Sequence, residues 1–198
     1  MAPPPFPTGT LVTSKSDLRV QLRLRRRELA LTHPDAAEKA AEHLLLLDLP
    51  AFKVVSGYHP LGGELDPGPV LQRLQAHGAR VALPVALDRH SPLIFRAFEP
   101  GQTLAPDAVR VPSPTPDAER LEPDLVITPL LGFDRHGHRL GQGAGHYDRT
   151  LEALRAARRI WVIGLAYSGQ EVEDLPCEPH DQRLDAILTE KGYRSLQR

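Results

Sequence analysis

Asp124-Leu125-Val126-Ile127-Thr128-Pro129-Leu130-Leu131, followed after a polar loop by Arg139-Leu140-Gly141-Gln142-Gly143-Ala144-Gly145-His146-Tyr147-Asp148-Arg149, decides how this 198-residue chain is read. The first stretch reads as a buried strand. The second sets three glycines at alternate positions ahead of a helical pattern, with Tyr147, Leu151 and Leu154 on one face and Arg158 and Arg159 at the end that favours cations. Glycine permits positive φ and close backbone approach, so successive N–H groups can face one anion; the helix N-terminus behind them adds unpaired donors and partial positive charge. An ordinary strand-to-helix loop with an acid in the first helical turn fits the spacing equally well. The stretch is not a Walker A loop, because no Gly-Lys-Ser/Thr follows. It also departs from the dinucleotide fingerprint, since the spacing differs and no strand is expected to run directly into Gly141. If phosphate binds here, the Asp148 carboxylate would repel it, and a bridging Mg²⁺ is the natural resolution. Arg139 and Arg149 flank the loop and can neutralise further charge.

Working outward, residues 14–30 fit a helix with Leu18, Val20, Leu22 and Leu29 as apolar positions, crowded by Lys15, Arg19, Arg23, Arg25, Arg26 and Arg27. A second helix fits residues 35–47, with Pro34 in its first turn and Thr32 and Asp35 resembling a capping pair. Residues 52–58 read as a buried strand, and Asp66-Pro67 opens a third helix through Leu71 and Leu74 that Gly78 closes. Residues 80–85 form a second strand and residues 92–98 a third, an edge hairpin element. Prolines at 100, 106, 112, 114, 116 and 123 make residues 99–123 a long irregular connection. Residues 160–166 and 185–189 supply the last strands. Alternating strands and helices predict an α/β fold: a three-layer, mostly parallel sheet covered on both faces by helices.

Balanced charge, 24 basic against 25 acidic side chains, argues against nucleic acid as a partner. The single Cys177 cannot build an internal disulfide framework, which favours a reducing compartment. No run approaches the roughly eighteen apolar residues that cross a bilayer, and residues 1–7, with four prolines, lack the basic and apolar regions of a signal peptide. A cytoplasmic protein without a membrane partner is expected, a monomer or weak dimer. Residues 1–13 are expected to be a disordered proline-rich tail, residues 14–190 one domain, and residues 191–198 a C-terminal tail.

The stretch from Asp124 to Arg149, with Pro129, Phe133-Asp134, Gly137 and the alternating glycines before Tyr147-Asp148-Arg149, resembles the 5-formyltetrahydrofolate cyclo-ligases, or methenyltetrahydrofolate synthetases. Lys15 with Leu18-Arg19, Tyr58-His59-Pro60 with Glu64 and Asp66, residues 81–85, Gly164-Leu165-Ala166-Tyr167 with Gln170, and Pro176, Glu178, His180-Asp181 and Leu184-Asp185 agree in the same order. The resemblance covers roughly residues 14–190. Family members commonly carry Tyr, Gly and Tyr where this chain has Gln142, Ala144 and His146; Ala144 matters if its position needs positive φ.

The resemblance implies a Rossmann-like sheet, of the kind shared by phosphosugar isomerases and CoA-transferases, and ATP- and Mg²⁺-dependent closure of 5-formyltetrahydrofolate to 5,10-methenyltetrahydrofolate with release of ADP and phosphate. It implies that ATP, the co-substrate, is bound by Lys15, Ser16, Asp17, Leu18 and Arg19. Arg139, Leu140, Gly141, Gln142, Gly143, Ala144, Gly145, His146 and Tyr147 would wrap it further. Lys15 and Arg139 would be catalytic. The folate would meet His59 and Glu64 together with residues 142–146, and Asp148 and Asp181 would hold Mg²⁺. Without the family, Lys15 and Arg19 read as solvated helix charges, Glu64 as a loop acid before a helix, His59 as a structural histidine and Asp181 as a surface acid. His136, His138 and His180 have no trusted metal-ligand spacing. A non-catalytic folate or nucleotide binder, a phosphosugar isomerase or CoA-transferase-like enzyme, and nucleic-acid binding through the arginine-rich helix are the rival functions.

Overall fold

A computed structural model of the protein describes residues 14–44 and 49–196. The tail expected at residues 1–13 and the end of the helix expected at residues 45–47 lie outside the described residues.

Helix α1 (Lys15–Thr32) begins where Ser14 Oγ accepts from Asp17 N at 3.2 Å, an N-cap that satisfies one orphan amide. Its buried side is Leu22, Arg26 and Leu29. Helix α2 (Ala36–His43) buries Ala36, Ala37, Ala40 and Ala41, small side chains that let it approach its neighbours closely. Helix α3 (Gly68–Ala76) follows Pro67 and buries Val70, Leu71 and Leu74; helix α4 (His146–Ala157) buries Thr150 and Leu151.

The strands in chain order are β1 (Val54–Ser56), β2 (Arg80–Val85), β3 (Ile94–Ala97), β4 (Leu104–Pro106), β5 (Pro112–Pro114), β6 (Arg120–Leu121), β7 (Leu125–Pro129), β8 (Gly132–Phe133), β9 (Arg139–Leu140), β10 (Trp161–Leu165), β11 (Ala186–Thr189) and β12 (Gly192–Ser195). Eight of them form one sheet in the order β12-β11-β10-β7-β1-β2-β3-β6. The neighbours β2, β1, β7, β10 and β11 pair in parallel, whereas β12, β3 and β6 pair antiparallel. The chain winds one way through β1 and β2 and the other way from β7 onward. That reversal between β1 and β7 is a topological switch point, where open α/β sheets leave a crevice at the carboxyl ends of their strands.

Alternate residues of each central strand serve opposite faces. Val55, Leu125, Ile127 and Ile163 join Ala40, Leu71 and Leu74 in one cluster, while Val126, Val162 and Ile187 join Leu151 of α4 in another. The result is the expected three-layer arrangement. Ile127 and Ile163 are fully buried, each contributing about 1.5–3 kcal/mol by leaving water.

Three boundaries differ from expectation. Within the expected C-terminal tail, the described residues up to 196 are structured: β12 closes a hairpin with β11 through the two-residue link Glu190-Lys191, and Leu196 packs into the α4-side cluster. The proline-rich segment contains β4, β5 and β6. In the β4–β5 ribbon Pro106 stands opposite Pro112, and Leu104 opposite Pro114; a ribbon of two edges tolerates the missing N–H groups. Strand β3 lies inside β6, so it is not the sheet edge. Among the described residues no helix is long and apolar enough to cross a membrane.

Candidate active site

A cleft of about 500 Å³ opens at the switch point, bordered by Tyr58 and His59 after β1, Ala86 after β2, and Leu130 after β7. That size suits small-molecule ligands. Above it the β8–β9 ribbon delivers the glycine loop. Here β9 does run directly into Gly141, against expectation, although it belongs to a separate two-stranded sheet rather than to the parallel one.

Gly143 and Gly145 adopt φ of 104° and 69°, a left-handed conformation that side chains resist. Ala144 does not: among the described residues the only non-glycine with positive φ is Arg110. Substitution of the family's glycine at Ala144 is therefore compatible with the loop's backbone. Gly145 is the N-cap of α4 and no side chain caps that end, so the first-turn amides stay available to a ligand. Helix α1 pins the loop directly. Arg19 Nε donates to Gly141 O at 3.1 Å, and Arg23 Nε to Gln142 Oε1 at 2.9 Å. Arg149, rather than facing an anion, donates to Ala144 O at 3.0 Å and Arg89 O at 3.1 Å.

Two cation–carboxylate pairs stand beside the loop. Lys15 Nζ lies 2.9 Å from Asp181 Oδ2 and 3.0 Å from Glu178 Oε1. Burial lowers the lysine's pKa, but the hydrogen bonds to Asp181 and Glu178 outweigh it and hold the ammonium above its ordinary value. For Asp181 burial acts upward, and the bonds from Lys15 and the Glu178 amide bring the carboxyl below its usual range. The second pair joins Arg139 Nη2 to Asp148 Oδ1 at 2.7 Å, and Gln182 N donates to the same oxygen at 3.0 Å. Arg139 also donates to Gln182 O.

The cleft lining also includes Glu64, whose Oε1 is 3.1 Å from Arg26 Nη1 and whose Oε2 accepts from Leu61 N at 3.0 Å. The Tyr147 hydroxyl and His146 Nδ1 are buried and have no hydrogen-bond partner. Burial first, then the charge of Glu64, pushes the Tyr147 pKa up, so this hydroxyl keeps its proton and is left as a donor. Leu93, Val109 and Val111 supply an apolar flank.

The family model described as the 5-formyltetrahydrofolate cyclo-ligase family matches residues 12–190. The chain belongs to this family. It is 35% identical over 189 residues to the 5-formyltetrahydrofolate cyclo-ligase of Mycolicibacterium smegmatis, an alignment covering 90% of this chain and 94% of that one. The Escherichia coli K12 cyclo-ligase is 33% identical over 175 residues, 84% of this chain and 96% of its own. Among solved structures, the Aquifex aeolicus 5,10-methenyltetrahydrofolate synthetase superposes with a TM-score of 0.72 at 28% identity, covering 93% of each chain. Its fold is the three-layer α/β fold found here.

Of the positions that the cyclo-ligase resemblance selects, Lys15, Arg19, His59, Glu64 and Asp181 line the cleft, as does every residue from 139 to 148. Ser16, Asp17 and Leu18 do not. Ser16 and Asp17 bond to Ser14 at the start of α1, and Leu18 packs on the cluster of Leu22, Leu131, Leu140 and Leu175. His136 and His138 lie outside the cleft lining, where His138 Nδ1 sits 2.9 Å from Asp134 Oδ2.

Sequence reasoning missed Arg26, Arg23 and Glu178. Arg26 had a readable signal, since it falls four residues after Leu22 and three before Leu29, on the buried face of α1.

For Mg²⁺ the donor set is selective. Among the described residues no group of three or more His, Cys, Asp or Glu side chains is arranged to hold a metal. Asp148 and Asp181 both line the cleft; Asp148 Oδ2 lies outside the pair with Arg139, and Asp181 Oδ1 lies outside the pair with Lys15, 3.9 Å from His180 Nε2. Mg²⁺ is usually bound by one or two carboxylates together with phosphate oxygens and water. These carboxylates therefore suit an ion arriving with a triphosphate and not a cage built by protein alone.

Proposed function

We propose that this cyclo-ligase family member converts 5-formyltetrahydrofolate to 5,10-methenyltetrahydrofolate, using ATP and Mg²⁺ and releasing ADP and phosphate. One juxtaposition carries the reading. The uncapped start of α4, its glycine loop, Lys15 and Arg19 line the same cleft as the carboxylate of Glu64, whose side chain is only 8% exposed. An anion-binding loop and a carboxylate for a neutral, hydrogen-bonding heterocycle in one cleft are what a phosphorylating cyclisation requires.

In this reading the loop amides of residues 141–145 and the first turn of α4 cradle the triphosphate, with Lys15, Arg19 and Arg139 spreading the γ-phosphate charge. Asp148 and Asp181 would hold Mg²⁺, which would supply charge neutralisation for the bound phosphates. Glu64 accepts from the N–H donors of the folate's amino-pyrimidine edge, with His59 beside it. The formyl oxygen, a poor leaving group as it stands, attacks the γ-phosphorus and ADP departs. N10 then attacks the activated carbon and loses its proton, and phosphate leaves with the C–O bonding pair, so the ring closes as the methenyl cation. The protein's part is chiefly alignment and electrostatic stabilisation. A cytoplasmic location and a monomer or weak dimer belong to the same reading, with Cys177 free and exposed.

The test is turnover by purified protein with 5-formyltetrahydrofolate, ATP and Mg²⁺, followed by the methenyl chromophore. Product that depends on both ATP and the metal supports the reading. Folate and ATP binding without product would make the chain a non-catalytic binder, and turnover of a phosphosugar or CoA ester without ATP would assign it the rival function of a phosphosugar isomerase or CoA-transferase-like enzyme.

A further inference from the structure

Arg26 is 3% exposed and its partner Glu64 carries a side chain only 8% exposed, so both charges of this pair have left water. Burying an ion is costly unless its partners are complete. Arg26 Nη1 reaches Glu64 Oε1 at 3.1 Å and Leu130 O, beyond the end of β7, at 3.2 Å. Nη2 reaches Gly62 O at 3.4 Å and Leu61 O at 3.5 Å. One guanidinium thus ties α1 to the switch-point strand and to the turn that carries Glu64. That turn has φ of 54° and 83° at Gly62 and Gly63 and is closed on itself by Glu64 N to Leu61 O at 3.1 Å.

We propose that Arg26 is a positioning residue for folate recognition: it fixes the orientation of the Glu64 carboxylate and supplies its counter-charge. The inference rests on the reading of Glu64 as the folate-binding carboxylate. Each Glu64 oxygen accepts one protein donor, Arg26 on Oε1 and the Leu61 amide on Oε2. A carboxylate oxygen has room for two donors, so one acceptor site per oxygen remains for a paired N–H edge. Arginine stays protonated throughout the working range of pH and presents several donors in a fixed plane; a lysine would supply charge without that geometry. Arg26 touches no substrate itself. Its effect reaches the folate through Glu64.

The experiment compares wild type with R26M, R26K, E64Q and the R26M/E64Q double variant, reading KM for 5-formyltetrahydrofolate, KM for MgATP, and Tm. R26M is expected to raise the folate KM on the order of tenfold while the MgATP KM stays within about twofold. R26K should fall between R26M and wild type. The double variant should be no worse for folate than the poorer single one, because both changes remove the same interaction. Equal rises in both KM values, or additive losses in the double variant, would reduce Arg26 to a structural brace and overturn the proposal. If E64Q leaves the folate KM unchanged, the Glu64 reading fails; if E64Q raises it and the Arg26 variants do not, only the Arg26 proposal fails. Should R26M not fold, R26K decides by the same split between the two KM values.

Discussion

Arg139 Nη2 sits 2.7 Å from Asp148 Oδ1, so the residue that enters the glycine loop is buckled to the residue that leaves it. The loop's shape is set before any phosphate arrives, since the same Asp148 oxygen also receives the Gln182 amide at 3.0 Å. Asp148→Ala should therefore act twice. It should lower kcat/KM for MgATP by about tenfold or more while leaving folate affinity nearly unchanged, and it should cost about 1–3 kcal/mol by stripping buried donors of their acceptor. Initial rates, folate titration and a denaturant melt check this; equal losses for both substrates in a folded protein would move Asp148 out of the nucleotide site.

Lys15→Ala should chiefly raise the MgATP KM. The lysine is held between Asp181 and Glu178, and its removal leaves two acids facing the phosphates with no cation between them. Steady-state kinetics at varied ATP reads the effect, and an unchanged ATP dependence would remove Lys15 from the site.

The three loop glycines should separate in their responses. Gly145→Ala must place a side chain at φ 69°, with its Cβ 2.6 Å from Arg149 Nη1, and should lose about 1–2 kcal/mol. Gly143→Ala, at φ 104° and 3.4 Å from the Arg19 guanidinium, should also be destabilised. Gly141 has no positive φ and open space around its Cβ position, so Gly141→Ala should keep the wild-type Tm. If its MgATP KM nevertheless rises, the added methyl occupies room that the nucleotide needs. Thermal melts with ATP kinetics distinguish the three.

Asp134 predicts an acid limb of stability. Burial pushes its carboxyl up, but bonds from the His138 ring and from the Leu175, His138 and His136 amides prevail, and its pKa lies below the ordinary value. The unfolded chain therefore takes up this proton first as pH falls. The stabilisation is complete above the unfolded carboxylate pKa of about 3.9 and fades as pH drops through the lower folded value. Asp134→Asn should lower Tm at neutral pH, and the gap from wild type should narrow below about pH 4. A gap independent of pH would assign the loss to packing alone.

The central strands were legible because Leu125, Val126 and Ile127, like Val162 and Ile163, are buried on both faces of the sheet and leave continuous apolar runs. The glycine loop and its facing cations could be located because each carries chemistry that a core residue does not need. Strand β12 was hidden: its Gly-Tyr-Arg-Ser sequence has no fully buried residue and pairs on one side only, so no run or alternation marks it. Strands β4 and β5 were masked by prolines that a central strand would refuse. Ser16, Asp17 and Leu18 fall outside the cleft lining while Lys15 and Arg19 line it, because a helix turns about 100° per residue and positions four apart share a side. Arg26 was obscured for another reason. Its spacing from Leu22 and Leu29 marks it as inward-facing among the six cations of the helix, but the carboxylate that receives it lies 38 residues away in the turn carrying Glu64.

The eight-stranded sheet finishes in β6, two residues long, and in β12, four residues long, where Arg194 is engaged with Glu171 at 2.7 Å. Long bare margins recruit strands from other molecules, and short or charged ones resist it. With parallel ladders confined to the middle and stubby, polar borders outside, this architecture carries its own safeguard against fibrous self-association.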